Sequence, residues 1–344
     1  MIAEGRQARR RRSHLNCVRM LETTGPMRPS ARSGRNGVAA LLLTTAVCMG
    51  MAQRAGHENP DRRASYVGFD RNGYPGDEAL AALRRSFRYT SYWLNPPPGE
   101  KVNRWEGKRA ILRRYGFGFL VLYDGRTDAE LKPAALKGRN VEDLGATDGK
   151  AAAAAAAREG FPRNVLIFLD QEEGGRLFPE QAAYVFAWID AVRSAGARAG
   201  VYCSGIDVPD GNSTISTAED IAERESMRAA ASDSSKQGNR LALWIANDQC
   251  PPAPGCTLTA PPMSAALSPE IAPFTTVWQY ALSPRRAQFS AACPRNQAAD
   301  GNCYAPGLPP SANTFVDLDT ANSPDPSELT ESESRAGGEN DRSH

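Results

Sequence analysis

The sequence predicts a closed (β/α)8 barrel, an α/β fold, and three observations carry that expectation. Apolar runs of strand length recur eight times after residue 64, helical patterns separate the earlier ones, and acids or aromatic residues stand where the runs end. The strand-like runs are 66–69, 89–94, 117–123, 165–169, 198–203, 241–246, 274–280 and 314–318. Helical patterns fall at 77–87, 104–115, 146–160, 179–195 and 217–236. Strand–helix alternation implies a parallel sheet, and eight units suffice to close one. An open doubly wound sheet would need a Gly-rich phosphate loop after its first strand. Gly73-Tyr-Pro-Gly76 has the wrong spacing for one and contains proline.

In order, the first run (YVGF) ends at Asp70, and the second (YTSYWL) carries Trp93 and meets Asn95 before three prolines. The third (FGFLVLY) ends at Tyr123 and Asp124, where Asp124-Gly125 reads as a turn. Seven consecutive alanines, 151–157, then read as a helix of high propensity with a thin contact surface. Val165 to Leu169 is an unbroken apolar run that passes into Asp170-Gln-Glu-Glu-Gly-Gly-Arg176, the signature of a strand buried on both faces. Alternation along it places Asp170 and Glu172 on one side and Gln171 and Glu173 on the other. In Glu180 to Arg193, Ala183, Phe186, Ala187 and Val192 share one helical face. The fifth strand ends near Tyr202, the sixth near Asn247 and Asp248, the seventh at Gln279 and Tyr280, and the eighth at Asp317 and Asp319. Segments 250–273 and 283–312 are rich in Pro, Gly and Asn, which predicts irregular connections after strands 6 and 7.

A barrel keeps its active site at the C-terminal ends of its strands. Acids mixed with aromatic rings around one mouth suit a carbohydrate, because carboxylates act on the glycosidic bond and rings stack on apolar sugar faces. Two carboxylates at one buried strand end also raise each other's pKa, which prepares an acid and a base. The catalytic candidates are Asp170, Glu172, Asp70 and Asp317; the substrate-binding candidates are Trp93, Asn95, Tyr123, Tyr202, Gln279, Tyr280 and Asp319.

Charge is segregated. Residues 1–63 hold 12 Arg against 4 acids, residues 64–322 hold 27 basic and 29 acidic residues, and the tail from Ser323 holds 6 acids and 2 Arg. A barrel region near neutrality argues against a nucleic-acid partner. The three histidines, His14, His57 and His344, all lie outside it, which argues against Ser-His-Asp and Cys-His catalysis and against a His-ligated metal. No metal and no cofactor is expected. Val38 to Met51 is a 14-residue apolar run preceded by Arg28, Arg32 and Arg35 and followed by small residues before Gln53. It reads as a secretory signal, being short of the ~20 residues that span a bilayer. The expected organisation is an N-terminal extension and signal peptide at 1–52, a linker at 53–63, the barrel at 64–322 and a disordered acidic tail at 323–344. Cys250 with Cys256 and Cys293 with Cys303 flank loops without regular patterns and are expected to pair as disulfides, whereas Cys203 reads as a buried free thiol.

Gly68-Phe-Asp70, Asp170-Gln-Glu172, Gly200-Val-Tyr202, Leu243-Trp-Ile-Ala246, Val277-Trp-Gln-Tyr280 and Val316-Asp-Leu318 resemble, in the same order, strand motifs of the family 25 glycoside hydrolases. Those are single-barrel lysozymes that cleave peptidoglycan. Gly68-Phe-Asp, Tyr92-Trp-Leu-Asn-Pro-Pro-Pro-Gly99 and Phe168-Leu-Asp-Gln-Glu-Glu-Gly-Gly-Arg176 are closer to a secreted bacterial group of glycoside-hydrolase-like domains of unknown function (number 1906). The resemblance implies that Glu172 is the general acid/base, that Asp170 orients the substrate's acetamido group, and that Asp70 and Asp317 complete the acidic cluster. It departs at Asp319, where the lysozymes often have Asn, and at Glu173-Gly-Gly-Arg176, whose arginine would lower a neighbouring carboxylate's pKa. The implied function is a secreted hydrolase of peptidoglycan or another amino-sugar glycan of the cell envelope. The alternative is a non-catalytic glycan-binding envelope protein that uses the same cleft. The expected partner is envelope glycan, with no nucleic acid, no stable membrane insertion after signal cleavage, and a monomeric state.

Overall fold

A computed structural model of the chain describes residues 65–231, 240–247, 268–283 and 305–328. The expected signal segment, the linker up to residue 63, Asp248 and the four cysteines of the two expected disulfides lie outside the described residues.

The described chain forms β1 (Tyr66–Asp70), α1 (Leu80–Ser86), β2 (Tyr89–Trp93), α2 (Arg109–Arg114), β3 (Gly118–Asp124), α3 (Asp128–Leu136), α4 (Val141–Arg158) and β4 (Leu166–Gln171). It continues through α5 (Pro179–Ser194), β5 (Arg198–Ser204), β6 (Val208–Asp210), β7 (Ser213–Ile215), α6 (Thr217–Ala231), β8 (Ala242–Ala246), β9 (Thr275–Ala281) and β10 (Asp317–Ala321). Eight strands close a barrel in the order β1-β10-β9-β8-β5-β4-β3-β2. The expected (β/α)8 barrel is thus observed, with one change of direction. β10 runs antiparallel to both β1 and β9, so the sheet is mixed rather than all parallel. Reversal brings the beginning of β10 to the mouth, where Asp317 pairs with Asp70 across the ladder. β9 carries an extra residue, Tyr280, between Gln279 (opposite Asp319) and Ala281 (opposite Leu318), a β-bulge at the rim.

Two elements escaped the sequence pattern. α3 contains Pro133 and has no clear apolar stripe, yet Glu130 accepts a 3.0 Å hydrogen bond from the Thr127 N–H and so caps it. The hairpin β6–β7 contains Pro209 and turns through Gly211-Asn212, with Gly211 at φ 63°.

The interior follows from alternation. Gly68 and Gly200 face inward because a Cβ there would collide with the rings of Tyr89 (1.9 Å) and Phe168 (2.6 Å), which occupy those places. Phe168 meets Trp244 edge-on at 5.7 Å. On the outer face, Phe119, Tyr92 and Phe161 pack edge to face, each ring pair 5.1–5.8 Å apart. The alanine run lies in α4, where Ala152, Ala155 and Ala156 are buried at helical spacing. Gly145 and Gly149 extend that thin surface; a Cβ on Gly145 would stand 2.3 Å from the Tyr184 carbonyl of α5.

The fold does not stop at residue 322. Asp325, Ser327 and Glu328 are buried beneath the N-terminal ends of β3 and β4. Ser327 accepts from the Leu166 N–H (2.8 Å) on its carbonyl and from the Val121 N–H (2.9 Å) on its hydroxyl, and it donates its own N–H to the Phe119 carbonyl (3.0 Å). Asp325 accepts from the Phe119 N–H at 3.0 Å, and Arg109 and Arg113 reach Glu328. The tail expected to be disordered from Ser323 therefore begins in order. The order of Asp325, Ser327 and Glu328 leaves no mark in a local pattern because their partners lie some 200 residues earlier in the chain, at separations of 206 to 219.

Candidate active site

The mouth is built from the inward-facing ends of the strands. On β3 and β4, Asp124 stands beside Asp170, and Asp170 stands beside Tyr202 of β5, which stands beside Trp244 of β8. From the other side Asp70 pairs with Asp317. Glu172 follows the last residue of β4 and is exposed. Burial first, then the charges of Asp70, Glu172, Asp170 and Asp317, hold the pKa of the Tyr202 hydroxyl well above the ordinary value. All four catalytic candidates therefore act on one phenol.

Beneath them runs a hydrogen-bonded chain. The Tyr202 hydroxyl donates to Gln279 Oε1 (2.9 Å), and Gln279 Nε2 donates to Asp70 Oδ2 (2.7 Å). Trp244 Nε1 donates to Asp319 Oδ1 at 3.0 Å, and Asp319, opposite Gly68 on the β1 ladder, lies diagonal to Asp70. Burial first, then the neighbouring carboxylates, raises both Asp70 and Asp319 well above the usual range. Ser283 donates its N–H to Asp317. Trp244 is part of this network, and Asp124, which with Gly125 reads as a turn in the sequence, faces the mouth.

The expected aromatic rim is thinner than the sequence suggested. Trp93 is only 4% exposed and donates its indole N–H to the Arg71 carbonyl at 3.0 Å, so it is wall rather than stacking platform. Tyr280 is 2% exposed. Tyr123 points to the helix layer, 6.4 Å from the Trp188 ring; burial and then the Asp148 charge push its phenol up to about 12. Alternation explains it, since Asp124 faces in and its neighbour must face out. Asn95 braces two loops, its amide donating to the Asp124 carbonyl (3.1 Å) and accepting from the Asp124 N–H (2.8 Å). Of the seven binding candidates, Tyr202, Gln279 and Asp319 join the acidic cluster.

The turn after Glu172 is held firmly. Glu173, on the outer side, accepts from the Asp128 N–H at 2.9 Å and from Gln181. Gly175 has φ 88°, and a Cβ there would meet Val208 of the hairpin at 2.9 Å. Arg176 does not pair with Asp170 or Glu172, contrary to expectation. It bridges Asp210 of the hairpin (2.9 Å) and Asp220 of α6 (2.8 Å). Asp220 is fully buried and also accepts from the Leu177 N–H at 2.9 Å. Arg176→Ala leaves that carboxylate with Arg224 (2.9 Å) as its remaining cation, so a lower melting temperature is expected, with Asp210→Asn milder because its pairing is exposed; thermal unfolding of both variants checks the order.

Cys203 is a buried free thiol, as expected, and burial pushes it up to about 12. Among the described residues, no group of three or more His, Cys, Asp or Glu side chains is placed to hold a metal ion. Among them, too, no helix is long and apolar enough to cross a membrane.

A closed mixed barrel whose mouth gathers carboxylates is the class that fold and site define. Residues 89–249 match the family model of the Rv2525c-like, glycoside hydrolase-like domain. Among solved structures, the chain is similar to an uncharacterized B. stearothermophilus protein (20% identity, TM-score 0.49, covering 74% of this chain and 95% of that one). It is also similar to the bacterial lysozyme from Streptomyces coelicolor (11% identity, TM-score 0.37, 76% and 93% covered). A family 25 glycosyl hydrolase from Bacillus anthracis gives 12% identity and a TM-score of 0.36, with 80% and 94% covered. No curated protein matches the sequence.

Proposed function

We propose that the chain is a secreted glycoside hydrolase that cleaves peptidoglycan or another amino-sugar glycan of the cell envelope. The observation that carries this reading is the ladder geometry of the mouth, which sets Asp170 beside Tyr202 and Asp317 opposite Asp70, with Glu172 exposed just past the end of β4. A lone surface acid does no glycosidic chemistry; a proton donor beside a second carboxylate does. Glu172, the exposed member, protonates the leaving oxygen. Asp170 sits deeper, at 7% exposure, and supports the charge that develops at the anomeric carbon, either directly or by orienting an acetamido oxygen that attacks it. In that step the glycosidic C–O bond breaks, the proton moves from Glu172 to the leaving alcohol, and water finally restores both.

Binding without catalysis is the weaker reading on this geometry, because it would rest on an aromatic rim and Trp93 and Tyr280 are buried. A panel of purified glycans tests substrate class. Release of reducing ends from polymers bearing N-acetylamino sugars, and none from neutral glucans, is the expected result. Binding to all of them with hydrolysis of none favours the non-catalytic alternative.

The export part of the proposal rests on the Val38–Met51 run. N-terminal sequencing of protein recovered outside the cytoplasm is expected to begin near Gln53, with Cys17 and Cys48 removed. A chain that retains the run and stays in the membrane fraction contradicts it.

A further inference from the structure

Asp319 is fully buried beside Asp70, in a barrel whose other inward carboxylates lie near the opening. Trp244 Nε1 satisfies Asp319 Oδ1, but Asp319 Oδ2 is sealed from solvent with no donor facing it. A carboxylate oxygen left so would bear the full cost of desolvation. A protonated oxygen needs only an acceptor, and the Asp70 carboxyl, diagonal to Asp319 across the β1–β10 ladder, is the neighbour able to accept. Asp70 in turn has its other needs met, since Gln279 donates to Oδ2 at 2.7 Å.

We propose that Asp319 is a positioning residue that shares a single proton with Asp70, so that the buried pair carries one charge and Asp70 is fixed as a hydrogen-bonded monoanion beneath the mouth. Two like charges side by side in a dry site cannot both ionise at moderate cost. The groups around the pair favour this. Asp317 on β10, Asp170 and Glu172 at the end of β4, and the phenols of Tyr202 on β5 and Tyr89 on β2 add negative charge or none. Gln279 and Tyr280 on β9 and Trp244 on β8 are neutral; Arg71, next to Asp70 in the chain, donates its backbone N–H to the Ser91 hydroxyl at 3.2 Å, and its guanidinium is the cation nearest the pair in sequence. The chain Tyr202–Gln279–Asp70–Asp319–Trp244 then converges on Asp70 from both ends, each donor facing one acceptor.

The sign of the pH dependence follows. In the unfolded chain both aspartates ionise near their ordinary value of 3.8, whereas the folded pair keeps a proton above it. The folded state thus binds more protons, and stability falls as pH rises above about 4. Asp319→Asn replaces the O–H with an amide N–H that still donates to Asp70 but titrates nothing. We expect its melting temperature to exceed that of the wild type by several degrees at pH 8, with the gap closing toward pH 4. Unfolding at pH 7 is expected to release about one proton fewer than in the wild type, read from the buffer dependence of the calorimetric enthalpy.

Equal proton release from both proteins overturns the proposal. If the variant does not fold, the wild type still decides it: carbon NMR of aspartate-labelled protein should show one carboxyl protonated at pH 7, and a fully ionised set refutes the pair. Proton sharing is measured without substrate, so it stands or falls separately from the hydrolase reading. That Asp70 is thereby held for the glycan rests on that reading. For that role, Asp319→Ala, which donates nothing, should lower kcat more than it raises KM, and Asp319→Asn, which still donates to Asp70, should recover part of that loss.

Discussion

Glu172→Gln is expected to leave the barrel folded and to lower glycan hydrolysis by about 10²–10⁴-fold, the usual contribution of a general acid. The fold should survive because Glu172 is exposed and lies just beyond the ladder of β4. Glutamine keeps the shape and cannot give up a proton. Asp170→Asn should also cripple turnover, since a neutral amide cannot balance positive charge at the anomeric carbon. Glu173→Gln supplies the contrast. Glu173 faces the helix layer and ties β4 to α3 through the Asp128 N–H and to α5 through Gln181. Its replacement should cost stability and leave hydrolysis per folded molecule near the wild-type level. Steady-state rates on soluble glycan, with folding checked by circular dichroism, distinguish the three. Undiminished hydrolysis by folded Glu172→Gln removes the assignment.

Truncation before Ser323 is expected to have the largest effect on stability. It strips partners from the Phe119, Val121 and Leu166 N–H groups and from the Phe119 carbonyl, all at buried positions. Each orphaned buried group costs about 1–3 kcal/mol, and domains hold only about 5–15 kcal/mol in all. Cleavage at the end of β10 should therefore give a protein that unfolds at or near ambient temperature. Truncation after Glu328 keeps every one of these contacts and should melt near the full chain. Gly118→Ala approaches the same interface from the other side, because a Cβ there would stand 2.1 Å from the Pro324 carbonyl. Thermal unfolding of the three proteins decides the matter; equal melting of the two truncations would show that 323–328 contributes little.

The barrel was legible because periodicity and length report burial, and the eight strands lie where apolar runs interrupted the chain. Direction was not legible. Whether 314–318 runs with or against its neighbours depends on its ladder partners, and the strand in fact starts at Asp317 and continues to Ala321. The acids of the mouth were legible because alternation is rigid: knowing that Phe168 faces inward places Asp170 inward as well. Rings were the weak point. Trp93 faces inward, as strand position says, but the loop carrying the Arg71 carbonyl covers it, and a contact between residues 22 apart leaves no mark in a local pattern. Trp93→Ala is accordingly a cavity-forming change rather than a loss of sugar stacking. Tyr123 failed for a simpler reason, in that adjacent strand residues cannot share a face. Asp319 was noted as a departure from the lysozyme pattern, and the geometry gives that departure a physical content: a second buried carboxyl beside Asp70 where an amide would carry no proton.

The most direct test of the acidic mouth as a hydrolytic centre is mass spectrometry of the products that purified wild-type chain releases from peptidoglycan. Fragments with a new reducing-end sugar and one added water per cleaved linkage are the result expected here. Intact glycan strands after prolonged incubation, with the protein folded and bound to them, would contradict it.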